Sequence, residues 1–243
     1  MRDTALRAES ISKRFGERRA VREASFEVRC GEVVGLLGPN GAGKTTAFYV
    51  VAGLLSCDTG CVRLDGVDVT GFPVHRRALL GLGYLPQEAS VFRKLSVEQN
   101  ILAILELRAD LTRADRTDEL NRLLDDFQLH GVRKSAGISL SGGERRRVEI
   151  ARTLARSPRY VLLDEPFAGI DPISVNEIQG IIAELARRGI GVLITDHNVR
   201  ETLEIVDRAY ILAGGAILKE GLPADIIADE HVRRVYLGNS FSL

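Results

Sequence analysis

An α/β fold with a parallel sheet at its centre is predicted by three observations on the sequence. The apolar run Val33-Val34-Gly35-Leu36-Leu37 leads into Gly38-Pro39-Asn40-Gly41-Ala42-Gly43-Lys44-Thr45-Thr46, which fits the pattern G-x-x-x-x-G-K-[ST], and then into a stretch that can continue as a helix. Two more apolar runs, Tyr160-Val161-Leu162-Leu163 and Gly191-Val192-Leu193-Ile194-Thr195, each end on a polar pair, with a helical stretch between them. Loose alternation in Leu6 to Ile11 and Ser25 to Arg29 reads as half-exposed antiparallel strands ahead of the glycine loop.

Composition narrows the classes. A chain of 243 residues can bury roughly 70–75% of its unfolded surface and needs no disulfide. Thirty-three basic against 33 acidic side chains leave no net charge, which argues against a surface that grips nucleic acid along its whole length. Cys30, Cys57 and Cys61 are odd in number and lack zinc spacing, so reduced thiols in the cytoplasm are expected. No run reaches the ~18 apolar residues of a membrane span, and the start has no apolar core after its charge, so any membrane role is borrowed from a partner.

Taken in order, the loop at 38–46 comes first in importance. Its glycines free backbone N–H groups to wrap phosphate oxygens, and the helix behind it aims its positive end at them. Lys44 adds a point charge for the β and γ phosphates, and Thr45 offers its hydroxyl to magnesium. Phe15, in the turn Lys13-Arg14-Phe15-Gly16, is either a ring that stacks on a base or a core or edge phenylalanine. Cys61 to Gly66 is a short strand and turn, with Asp65 and Asp68 as turn residues. Gly83-Tyr84-Leu85-Pro86-Gln87 is an extended run ending in an amide.

From there the composition becomes helical. Ser96 and Gln99 form a capping box before the apolar face of Ile101, Leu102 and Leu105, and a second helix aligns Leu120, Leu123, Leu124 and Phe127. Residues 88–157 are therefore read as a helical subdomain inserted between residues 1–87 and residues 158–243. Inside it, Ser141-Gly142-Gly143-Glu144 opens a helix with Val148, Ala151, Leu154 and Ala155 on its buried side. A second small-residue helix start is a second anion site, and it suggests that each nucleotide is clasped from both ends, one end supplied by another copy. A serine N-cap alone also accounts for Ser141. Arg145-Arg146-Arg147 is read as a solvated face.

The apolar strand at 160–163 then ends in Asp164 and Glu165. In a chain with a triphosphate loop, Asp164 is expected to hold magnesium through its water shell, and Glu165 to orient or deprotonate the attacking water. Asp171-Pro172 caps a helix with Ile178, Ile181, Ile182 and Leu185 inward and Gly189 at its end. His197, after the strand at 191–195, can reach the γ-phosphate, because ligands gather at the carboxyl ends of parallel strands. Arg208 to Leu212, Gly214-Gly215 and Ala216 to Leu218 make a hairpin, followed by a helical tail through Gly238.

The stretches "GPNGAGKTT", "YLPQ", "LSGGE", "YVLLDEP" and "LITDH" together resemble, in order and spacing, the nucleotide-binding subunits of ABC transporters, from about Ala8 to Leu237. That resemblance implies a P-loop NTPase (RecA-like) core with an antiparallel β subdomain and the helical insert, with ATP and Mg2+ as ligands. It implies that Phe15 stacks on adenine and that residues 38–46 hold the phosphates. Thr45, Gln87 and Asp164 attend magnesium, while Glu165, with Gln87 and His197, serves catalysis. Ser141, Gly142, Gly143 and Glu144 act on the partner copy's ATP, and Asp171 lies at the interface of a homodimer. Phe15 stands where tyrosine is commoner, which removes a hydroxyl. "GYLPQEASVFRKLSVEQNILA", "LLDEPFAGIDPISV" and "DEHVRRVYLG" narrow the likeness to the ATP-binding subunits of lipopolysaccharide export systems. Two copies would then sit peripherally on the cytoplasmic face of the inner membrane beneath two permease subunits, with Phe92 and Arg93 in the groove that receives them. The competing expectations are the ATPase of a branched-chain amino-acid importer and a soluble ABC ATPase that acts on DNA or ribosomes.

Overall fold

The computed structural model describes residues 4–238 and residue 241. Two sheets organise it. Strands β1 (Ala5–Phe15), β2 (Arg18–Arg29), β4 (Thr59–Leu64) and β5 (Val67–Asp68) form an antiparallel sheet in the order β2-β1-β4-β5. The other sheet runs β10-β9-β3-β8-β7-β6, where β3 is Val33–Leu37, β6 Leu82–Leu85, β7 Tyr160–Asp164, β8 Gly191–Thr195, β9 Arg208–Ala213 and β10 Ala216–Gly221. Its strands are parallel except β10, which returns antiparallel to β9.

The side-chain period of two divides each central strand between two cores. Val34, Leu36, Tyr160, Leu162, Leu193, Tyr210 and Leu212 face the antiparallel sheet and helix α1 (Lys44–Ala52), which is packed between the sheets. Val33, Leu37, Val161, Leu163, Val192, Ile194 and Ile211 face the other side. There they meet α3 (Val97–Leu105), α4 (Arg113–Asp126), α5 (Gly142–Leu154) and α6 (Pro172–Arg187). Helix α2 (Val74–Leu79), between β5 and β6, and α7 (Val199–Leu203), after β8, have no counterpart in the sequence reading. The first helix begins at Lys44 rather than Ala47, so the lysine belongs to its opening turn.

The capping boxes at Ser96/Gln99 and the Asp171 cap form as the sequence patterns require. One expectation fails: the run Arg145 to Arg147 is not a solvated face. Arg146 is 6% exposed and reaches inward to the strand ends, because the buried stripe of α5 includes its position together with Glu149. Asp65 sits in the β4–β5 turn as expected, and it also accepts hydrogen bonds from Arg159 and the Tyr160 hydroxyl, tying the two sheets together.

Candidate active site

The sheet register brings the strand ends into one place. Leu85 is level with Leu163, Leu163 with Ile194, and Asp164 with Thr195. The segments that follow β3, β6, β7 and β8 therefore converge at the carboxyl edge. A cleft of about 220 Å3 there is lined by Phe15, Arg18, Asn40 to Thr46, Glu165 and His197.

The phosphate loop is jammed against its neighbours. Gly38 and Gly43 have φ of 145° and 106°, and a Cβ on them would run into the carbonyls of Leu212 and Ala20. Glycine is therefore dictated by both conformation and space. No side chain caps the start of α1, leaving its amides directed outward. Lys44 donates to the carbonyls of Gly38 (2.6 Å) and Pro39 (3.1 Å), which pins its ammonium over the loop. Burial lowers its pKa, opposed by the charges of Glu165 and Asp196.

Glu165 has φ 45° and lies between two partners. The Gln87 amide donates to its Oε2 at 2.5 Å, and His197 Nδ1 stands 3.2 Å from the same oxygen. Asp164, 3% exposed at the end of β7, has its carboxyl pushed up to about 6, by burial first and then by the charge of Glu165. Asp196 is buried, which raises its pKa, and it accepts from the amides of Phe167 (3.0 Å) and Asn198 (2.8 Å). Those bonds splice the loop after β7 to the loop after β8 and so set where His197 stands.

The groups that hold Gln87 were invisible as such in the sequence. Arg146 donates to the Pro86 carbonyl (3.0 Å), the Asp164 carbonyl (3.3 Å) and Glu149 (3.4 Å). Glu149 accepts from the amides of Ser90 (2.5 Å) and Val91 (3.2 Å). Thus α5 fixes the loop that carries Gln87. A charged pair at i and i+3 on an arginine-rich helix gives no sequence signal of burial.

The groups expected to hold magnesium, the Thr45 hydroxyl, the Gln87 carbonyl and the Asp164 carboxylate, would all offer hard oxygens, and of the three Thr45 lines the phosphate cleft. The raised Asp164 carboxyl beside Glu165 and Asp196 is a surplus of negative charge that a divalent cation would relieve. Among the described residues no cluster of three or more His, Cys, Asp or Glu side chains could cage a metal.

Phe15 is 51% exposed at the lip of the cleft, so it is neither a core nor a covered edge residue. Ser141 to Glu144 do not line this cleft. Ser141 Oγ instead accepts from the Glu144 amide (3.3 Å) while Glu144 accepts from the Ser141 amide (2.8 Å), a capping box. A Cβ on Gly143 would fall 2.6 Å from Ser174 Oγ, and Ser174 donates to Asp171 (2.7 Å). The start of α5 and the Asp171 loop are thereby in contact.

A separate groove is lined by Val74, Ala78, Tyr84, Pro86, Ile104 and Arg152, among others. Phe92 and Arg93 are not in its walls. Phe92 is exposed, with its ring 4.2 Å from the Arg152 guanidinium, and Arg93 is exposed beside it. A cleft of about 340 Å3 between α4 and α6 is roomier than the phosphate cleft. Its arginines are already paired, Arg147 with Glu177 and Arg188 with Asp126, so size alone does not mark the site.

Comparison with known proteins agrees with this geometry. Residues 21–168 match the ABC transporter family. A probable ABC transporter ATP-binding protein of Azorhizobium caulinodans is 59% identical over 98% of this chain and 85% of its own. The lipopolysaccharide export system ATP-binding protein LptB of Escherichia coli K12 is 55% identical over 98% of this chain and 99% of its own. The crystal structure of the ADP conformation of an ATP-binding cassette of an ABC transporter superposes with a TM-score of 0.85 at 29% identity, covering 96% of this chain and 98% of that one. A phosphate loop, a paired carboxylate edge and a full-length likeness to such cassettes lead to one conclusion: the chain belongs to the ATP-binding proteins of the ABC transporter family.

Proposed function

We propose that the chain hydrolyses ATP to power lipopolysaccharide export from the inner membrane. The observation that carries the reaction is Glu165, held by Gln87 and His197 at the edge of the phosphate cleft. The likeness over 98% of the chain to proteins named for lipopolysaccharide export carries the cargo.

The phosphates bind backbone amides of residues 40–46 and the Lys44 ammonium, and Phe15 lies against the adenine. Thr45, Gln87 and Asp164 would hold magnesium, which would supply positive charge against the β and γ phosphates. Glu165 takes a proton from water as the oxygen attacks the γ-phosphorus and the bond to the β-phosphate oxygen breaks, giving ADP and phosphate. Gln87 and His197 orient the carboxylate and the γ-phosphate.

The second end of the clasp comes from a second copy. In support, Ile138 and Ile173 are 60% and 75% exposed, one three residues before Ser141 and the other two after Asp171. Apolar side chains that open to water beside both loops suit a face covered on ATP binding. Among the described residues no helix is long and apolar enough to cross a membrane. Membrane association on the cytoplasmic face then runs through two permease subunits seated in the groove bounded by Val74, Tyr84 and Arg152, with Phe92 and Arg93 at its margin.

The test is to express tagged Glu165→Gln in the native host, solubilise membranes with ATP present, and identify the proteins recovered. Two membrane subunits of the lipopolysaccharide exporter are expected. Amino-acid permeases would replace this reading with the importer, and ribosomes or DNA without a permease would replace it with the soluble ATPase.

A further inference from the structure

Helix α2 touches two different parts of the molecule. Val74 and Ala78, one turn apart, belong to the groove wall. Arg77, between them in sequence, is turned inward and is 1% exposed. Its guanidinium donates to the carbonyls of Val50 (2.8 Å) and Val51 (2.6 Å) in the last turn of α1. It also donates to Phe72 (2.8 Å) and Thr70 (3.0 Å) in the loop before α2. Among the described residues no carboxylate forms an ion pair with it, so a buried cation is satisfied by carbonyls at the negative end of a helix.

That helix is the one whose other end carries the phosphate loop and Lys44. It is about 13 Å long by its nine residues. It is buried along Ala47, Phe48, Val50 and Val51, so it is held by packing over its whole length. The joint has no slack. Gly53, with φ 79°, ends α1, and a Cβ there would lie 2.7 Å from Arg77 Nε.

We propose that Arg77 is a positioning residue that carries a displacement of the groove wall, through α1, to the phosphate loop. The inference rests on the reading of the groove as the seat of the membrane subunits. By reciprocity, groove occupancy and nucleotide affinity shift one another by the same factor. Arginine suits the task because its planar fork holds several carbonyls at fixed angles, which a lysine ammonium does not.

The test compares wild type with Arg77→Lys, each as the subunit alone and in complex with its two membrane subunits. With the subunit alone, ATP turnover is expected to stay within about threefold of wild type. The factor by which the membrane subunits shift ATP affinity is expected to shrink by about tenfold, within the usual range of coupling between sites. A variant whose ATP affinity changes equally in both states, so that the ratio is kept, overturns the proposal.

Should Arg77→Lys not fold, amide hydrogen exchange on the wild type decides. Assembly should slow exchange at residues 50–55 and 70–72, and unchanged exchange there also overturns it. Ala78→Arg, which fills the groove, separates the two readings. If the membrane subunits still bind that variant, the groove assignment falls and this inference with it. If they are lost while Arg77→Lys keeps the wild-type ratio, only the role of Arg77 falls.

Discussion

The chain has two glycine-bearing helix starts, and they are built in opposite ways. At the start of α1 the glycines are left-handed and pressed onto the backbone of β2 and β9, and no side chain caps the helix. At the start of α5, Gly142 and Gly143 are already helical, and the capping box of Ser141 and Glu144 satisfies the amides of those two residues but not those of Gly142 and Gly143. The first start is preorganised to receive an anion by itself. The second is partly capped from within, does not line its own phosphate cleft although Gly142 shares a neighbouring pocket with Gln87 and Glu165, and leaves Ser141 and Gly142 exposed. Similar local sequences therefore separate into a binding site and a surface offered to something else.

The largest expected effect lies in the first region. Glu165→Gln should bind ATP yet hydrolyse it about a hundredfold or more slowly, read as steady-state phosphate release. Normal turnover would remove Glu165 from its role. Next, Gly43→Ala should lose nucleotide binding by about fiftyfold or more, because φ and the Ala20 carbonyl both oppose a Cβ. Gly142→Ala, with its nearest neighbour at 3.9 Å, should leave binding to a single subunit within about twofold by calorimetry. Equal losses in both variants would erase the contrast between the two starts.

A third expectation concerns pH. In the proposed site magnesium would require the ionised form of Asp164, whose carboxyl is pushed up to about 6 by burial and Glu165. A raised carboxyl pKa means the charged form is lost as pH falls through that value. Affinity for magnesium and ATP should thus be level above about pH 6 and fall up to about tenfold per unit below it. Asp164→Asn should bind more weakly and without that slope. The smallest effect is Ser141→Ala, which should cost about 1 kcal/mol of stability in denaturant unfolding as a lost cap. It should also lower turnover while sparing ATP binding to one subunit.

The sequence was most legible where local chemistry and periodicity agree. Strands β3, β7 and β8 are uninterrupted apolar runs, and the Ser96 and Asp171 caps carry their own signals. It was least legible where burial runs against residue type. Arg146 read as a solvated charge and Arg77 drew no reading at all, yet both are satisfied inside by carbonyls contributed from distant segments. Helix α2 is six residues long, too short to establish a helical period. The groove wall that includes α2 is assembled from separate segments, and Phe92 meets it only through Arg152.

The central claim is that ATP is held between two copies, one giving the loop at 38–46 and the other Ser141 to Glu144. The direct measurement is the solution mass of Glu165→Gln by light scattering, with magnesium and ATP and again with ADP. The account predicts a doubled mass with ATP, a single subunit with ADP, and loss of the doubling when Ser141→Arg is added. A single-subunit mass with ATP demonstrably bound would contradict it.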